Sequence, residues 1–183
     1  MTRLTAQNAT ALIVDLQEKI VPAMSDSEAL LTRSKFFLGG LRAFDVPSVS
    51  TRQYPKGLGD TIIEIKSLFG DVKVFDKTSF SCLDAPEIRN YFVRDSRPNV
   101  LLAGIETHIC VLQTALDLVE LGKKVYLVRD CVSSRSPLDT ETALLRLWNV
   151  GVVPTTSEAA LFEIARVAGT PQFKILSKLA TGR

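Results

Sequence analysis

Three residues of this chain carry the groups that open acyl bonds: the thiol of Cys110, the ammonium of Lys77 and the carboxylate of Asp15. A free thiol is only a few per cent thiolate at neutral pH, so a nucleophilic cysteine needs an activating environment. Cys110 follows the apolar run Asn99–Ile105 (NVLLAGI) by five residues and falls in the first turn of a helical pattern. Unpaired backbone N–H groups and the positive dipole end at a helix start stabilise an anion there and lower a thiol pKa. Lys77, in Asp76-Lys77-Thr78-Ser79-Phe80, ends a second apolar run. An ammonium there can hold a thiolate ionised and stabilise developing oxyanion charge. Asp15 closes a third run, Ala9–Leu16 (ATALIVDL). A carboxylate at that place is expensive to bury unpaired, and it can take the thiol proton and later return it. Each residue also has a plain reading: a small buried hydrophobe, a loop lysine, and an N-cap or arginine partner.

Other residues join this set by position. Gly104 permits an unusual backbone path between strand and thiol, and the N–H groups of Glu106 and Cys110 are candidates for an oxyanion hole. Gln17, Tyr54, Phe75, Phe80 and Cys82 are candidates for the pocket wall. Cys131 reads as structural. His108 is the single histidine and stands two residues from Cys110. Side chains at i and i+2 on a helix do not face each other, so it reads as a rim or exposed residue and not as a general base. One histidine and no CxxC pair give no metal-ligand set, and no GxxxxGK or GxGxxG is present. Neither a metal nor a cofactor is expected.

The elements that must position these groups alternate along the chain. Strand-like runs are Ala9–Leu16, Pro47–Thr51, Val72–Phe75, Asn99–Ile105, Val125–Val128 and Val152–Thr155. Between and after them, helical spacing covers Ser27–Phe44, Asp60–Leu68, Ala85–Val93, Thr107–Leu121, Asp139–Asn149 and a stretch from Ser157 to about Val167. Asp84 and Ser157 are expected as helix caps. Six strand-then-helix units predict a three-layer αβα fold with a parallel sheet. In such sheets ligands bind beyond the carboxyl ends of the strands, where Asp15, Lys77, Cys110 and Asp130 all fall.

Composition limits the alternatives. With 183 residues, 46% hydrophobic and 23% charged, the chain is expected to form a single domain over 1–183. A net charge of +2, with the basic residues scattered, disfavours a nucleic-acid partner. Three cysteines without CxxC spacing fit a reducing compartment. No run approaches the ~20 apolar residues that cross a bilayer. The first ten residues show no apolar signal core, so a cytoplasmic location is expected, with mitochondrial import left open.

The stretches Val14-Asp15-Leu16-Gln17, Phe75-Asp76-Lys77-Thr78-Ser79-Phe80-Ser81 and Gly104-Ile105-Glu106-Thr107-His108-Ile109-Cys110-Val111 together resemble the isochorismatase-like cysteine hydrolase superfamily. GIETHICVLQTALDL and CVSSRS are similar to its isochorismatase-domain-containing subgroup, some of whose members carry a mitochondrial-associated ribonuclease label. The resemblance implies a Rossmann-like six-stranded parallel sheet in order 3-2-1-4-5-6. It also implies a triad in which Asp15 is acid and base, Lys77 polarises and Cys110 attacks, with a cis peptide before Glu106 shaping the oxyanion hole. Superfamily members hydrolyse amides such as nicotinamide and N-carbamoyl compounds. The stretch Thr51 to Gly59 lacks the histidines of the zinc-dependent nicotinamidase branch.

The expected function is therefore hydrolysis of a small amide or carbamoyl compound through a thioester at Cys110, by a homo-oligomer to which Trp148, Phe162 and Phe173 could contribute apolar area. A ribonuclease and a non-catalytic binding or scaffold protein of the same fold are the alternatives.

Overall fold

Apolar runs with no polar face can only be satisfied in the middle of a sheet covered on both sides. In the computed structural model, which describes residues 3–182, the runs β1 (Ala9–Val14) and β4 (Asn99–Ile105) lie side by side, and every residue of both is buried. β2 (Ser48–Gln53) and β3 (Lys73–Lys77) extend the sheet on one side. β5 (Lys124–Ser133) and β6 (Val153–Thr155) extend it on the other. The order is β3-β2-β1-β4-β5-β6 and every pairing is parallel, as the sequence predicts.

The period of two along each strand divides the core into two layers. Ala9, Ala11 and Ile13 of β1 and Leu101, Ala103 and Ile105 of β4 share one layer. Helices α1 (Ser27–Ala43), α7 (Ser157–Ala165) and α8 (Pro171–Thr181) cover it. Leu12, Val14, Val100 and Leu102 face the other layer, under α4 (Pro86–Arg94), α5 (Leu112–Glu120) and α6 (Pro137–Asn149). Two short helical turns, α2 (Pro55–Leu58) and α3 (Ile63–Lys66), follow β2. Among the described residues no helix is long and apolar enough to cross a membrane.

Several boundaries differ from the sequence expectation for identifiable reasons. β2 runs two residues past Thr51, because Arg52 and Gln53 pair in register with Asp76 and Lys77 of β3. The helix expected over 60–68 shrinks to α3. Asp60 accepts hydrogen bonds from Arg52 (2.7 Å) and Lys66 (2.5 Å), and Thr61 bridges to Gln17, which keeps the start extended. The caps shift by one residue: Ala85 and Thr156 occupy the N-cap positions of α4 and α7, where Asp84 and Ser157 are expected. Helix α8, unassigned from the sequence, is capped by Thr170, whose side chain accepts the Phe173 N–H at 3.0 Å. β5 continues through Asp130 to Ser133, with its register to β4 shifting between Leu102 and Gly104. That irregularity brings the Ser133-Ser134-Arg135 segment beside the end of β4.

Gly104 is the point where β1 and β4 meet most closely. Its φ is +113°, and a Cβ there would lie 2.1 Å from the Val14 carbonyl oxygen. No side chain rotates out of that clash. Gly104→Ala is expected to destabilise the fold by about 3 kcal/mol or more. In a chain of this size that lowers the melting temperature by about 6–12 °C, measurable by circular dichroism.

Candidate active site

The carboxyl ends of β1, β2 and β3 converge on one buried network. Asp15 follows β1 with a left-handed backbone (φ 53°), a conformation that short polar side chains tolerate. Lys77 is the last residue of β3 and donates from Nζ to Asp15 Oδ2 at 2.7 Å; the two side chains are 0% and 1% exposed. Nζ also donates to Gln53 Oε1 at 2.6 Å and to the Ser79 and Phe80 carbonyls at 3.2 and 3.3 Å. The Thr51 hydroxyl donates to the second carboxylate oxygen of Asp15 at 2.7 Å. Gln17 anchors this corner: its amide nitrogen donates to the Gln53 and Gly59 carbonyls, and its oxygen accepts the Gln53 N–H at 2.7 Å. Burial pulls the Lys77 ammonium down, but the charges of Asp15 and of the thiols Cys82 and Cys110 outweigh it, so its net shift is upward.

Cys110 is buried in a π-helical turn, Thr107–Val111, that leads from β4 into α5. The Glu106 carbonyl accepts the N–H groups of Ile109 (3.1 Å) and Val111 (3.2 Å), which bracket Cys110. Wide turns of this kind recur at functional sites. The peptide between Ile105 and Glu106 is cis. The thiol does not have the low pKa expected from a helix start. It is pushed up to about 12, first by burial and then by the Asp15 charge, with Lys77 pulling the other way. A resting protonated thiol follows, and a base must take its proton as it attacks.

A cavity of about 350 Å³ joins these groups to the surface, with Asp15, Cys110, Gln53 and Glu106 in its wall. Apolar lining comes from Ile20, Leu58, Phe80 and Ile109, and cations from Lys19 and Arg135. Lys77 itself lies behind Asp15 and outside this lining.

Of the five residues expected in the pocket wall, only Phe80 lines this cavity. Phe75 shares the inward face of β3 with Lys77, but one pleat deeper, where its ring packs edge-on against Tyr91. Tyr54 is half exposed (53%). Gln17 is a buried anchor. Cys82 is fully buried, its sulfur 3.9 Å from the Thr51 hydroxyl, and its thiol is pushed up to about 11 by burial and the Asp15 charge. Asp130 lies apart from the cavity: its carboxylate accepts the N–H and hydroxyl of Ser157 at the start of α7. His108 pairs through Nδ1 with Ser134 Oγ at 2.9 Å and lies outside the lining. Among the described residues no group of three His, Cys, Asp or Glu side chains could hold a metal ion.

Sequence reading missed Gln53, Thr51, Lys19 and Arg135. The register Gln53↔Lys77 is the signal for Gln53, available once β2 is carried past Thr51. Arg135 depends on the irregular end of β5, which no local pattern announces.

This sheet and crevice define an α/β hydrolase fold. The chain belongs to the isochorismatase family, whose domain matches residues 9–159. It is 38% identical over 182 residues to the secreted isochorismatase effector Isc1 of Phytophthora sojae, covering 97% of this chain and 86% of that protein. Its structure is similar to the MAR1 ribonuclease of Caenorhabditis elegans, with a TM-score of 0.92, 36% identity, and 98% and 93% of the two chains covered. The YcaC gene product of Escherichia coli, an octameric hydrolase of unknown specificity, shares the fold at a TM-score of 0.91 and 20% identity, over 98% and 91% of the chains.

The two charges beside Cys110 act on it with opposite sign, which gives a test. Asp15 raises the thiol pKa, so Asp15→Asn is expected to lower it; Lys77 lowers it, so Lys77→Met is expected to raise it further. At pH 8, alkylation of Cys110 by iodoacetamide, followed by peptide mass mapping, should be faster in Asp15→Asn and slower in Lys77→Met than in the unaltered protein. Breaking the buried pair removes about 3–5 kcal/mol, so folding of both variants is checked by circular dichroism.

Proposed function

We propose that the protein is a cysteine-dependent hydrolase of small amide or carbamoyl-type C–N bonds, working through a thioester at Cys110. The observation that carries this reading is one cavity wall holding both Cys110 and Asp15, with Asp15 fixed at 2.7 Å by the buried Lys77 ammonium. As Cys110 Sγ forms its bond to the substrate carbonyl carbon, the thiol proton passes to Asp15 and the carbonyl π pair moves to oxygen. The N–H groups of Glu106 and Cys110 are the donors assigned to that oxyanion. Collapse expels the amine, which takes the proton from Asp15 and leaves the acyl group on sulfur. Water then attacks the thioester with Asp15 as base, and the acid departs as the thiol regains its proton.

Lys77 is assigned an electrostatic part. With its ammonium against Asp15, the carboxylate is held in one orientation, and the site carries a positive charge that opposes the cost of burying a thiolate. Family membership supports the hydrolase class. The ribonuclease name of the worm relative motivates a second reading, cleavage of RNA by the same site. A homo-oligomer also belongs to the proposal. Phe162 is partly exposed and stacks edge-on with Phe173 at 6.0 Å, while Trp148 packs against the core.

A panel of small amides, carbamoyl compounds and a single-stranded RNA oligonucleotide, each offered to the protein and to Cys110→Ala, tests this. The expected outcome is release of ammonia or amine by the unaltered protein and a loss of about 10³-fold or more in Cys110→Ala. A transient acyl adduct on Cys110 should be seen by mass spectrometry. Turnover of RNA alone, lost in Cys110→Ala, would favour the second reading.

A further inference from the structure

The charged residues in the cavity wall do not cancel evenly. Asp15 is paired with Lys77 behind it. Glu106, buried, accepts both the Nε–H of Arg135 at 3.0 Å and its backbone N–H at 3.1 Å. That grip uses only the inner edge of the guanidinium. Among the described residues its two terminal amino groups have no acceptor, and the side chain is 62% exposed at the cavity. Lys19, also in the lining, donates to the Gly57 carbonyl at 3.0 Å and has no carboxylate partner among the described residues. Once the two ion pairs are set aside, the site holds one surplus positive charge and an open guanidinium fork.

We infer, resting on the hydrolase reading above, that the substrate is a small monoanion carrying a carboxylate, which Arg135 binds with Lys19 beside it while its acyl carbon meets Cys110. A planar guanidinium held at Nε presents two parallel N–H groups to a carboxylate, a geometry that a lysine cannot supply. The apolar lining of Ile20, Leu58, Phe80 and Ile109 excludes water and strengthens that pairing. A neutral amide would leave both cations without a partner. A phosphate dianion would exceed the single surplus charge. Glu106 is a positioning residue in this scheme, since it acts by holding Arg135.

Matched alkylating agents test the charge preference without knowledge of the natural substrate. Bromoacetate and 3-bromopropionate are compared with bromoacetamide and 3-bromopropionamide. In each case Cys110 Sγ displaces bromide and the thiol proton leaves. Rates of Cys110 modification at pH 8.5 are read by mass spectrometry and divided by those for free cysteine. The acids are expected to be preferred, with saturation. That preference should fall about tenfold in Arg135→Gln, fall less in Lys19→Gln and recover in part in Arg135→Lys. Lys19 is at the surface, so its variant reports on charge even if Arg135→Gln unfolds. If Cys110 is modified with no preference for the acids, and neither variant changes the ratio, the anion subsite is overturned and the nucleophile reading stands. If no reagent modifies Cys110, the hydrolase reading falls and this inference with it.

Discussion

One ion pair organises this molecule. The Lys77 ammonium and Asp15 carboxylate face each other at 2.7 Å with almost no exposure. Removing two such charges from water is penalised by several kcal/mol per ion, and mutual attraction offsets this only when the remaining donors and acceptors are also satisfied. The sheet supplies those partners strand by strand. β1 delivers Asp15, β2 delivers Thr51 and Gln53, and β3 delivers Lys77 together with the Ser79 and Phe80 carbonyls beyond it. The order β3-β2-β1 is thus a requirement of the pair: any other arrangement would leave a charge buried among side chains that cannot answer it.

Such a pair is a poor device for stability. Apolar residues of similar volume are often neutral or better in a core. What the pair does supply is a fixed field beside the Cys110 sulfur. Asp15 and Lys77 push the thiol in opposite directions, and burial adds to the Asp15 side, so sulfur remains protonated at rest. A protonated thiol beside an oriented carboxylate is less open to oxidation than a standing thiolate. It can still release its proton once an electrophilic carbon arrives. The expectation of a low thiol pKa came from the helix start alone; the structure adds the desolvation and the neighbouring carboxylate, which dominate.

Legibility in the sequence follows burial. Ala9–Val14 and Asn99–Ile105 are unbroken apolar runs because both faces are covered, and they read as central strands directly. Asp15 and Lys77 stand out because a charge at the end of such a run demands a reason. Signal fades where polar residues satisfy backbone or charge partners. Arg52 and Gln53 look like loop residues, yet they continue β2, because their side chains bond Asp76 and Asp60 in one case and Lys77 and Thr78 in the other. Period two also gives a face but not a depth. Phe75 and Lys77 point the same way from β3, and only the helix packed above decides that Phe75 meets Tyr91 while Lys77 meets Asp15.

The division of labour between strands and loops explains how one scaffold could change substrates. Asp15, Gln53 and Lys77 sit on or against strand ends, locked by more than one hydrogen bond each, so altering them would disturb the sheet. Lys19, Ile20, Leu58, Phe80 and Arg135 approach the cavity from the segments after β1, β2, β3 and β5, where replacement leaves the ladders intact. The chain order reverses between β1 and β4, so the loops following these two central strands splay apart and open a crevice. The π turn places Cys110 on one side of that opening and the Asp15 corner forms the other. Specificity then rests on side chains whose only structural obligation is local, as with Arg135, held by the single carboxylate of Glu106. Charge and shape at the mouth can vary freely while the pair beneath stays fixed.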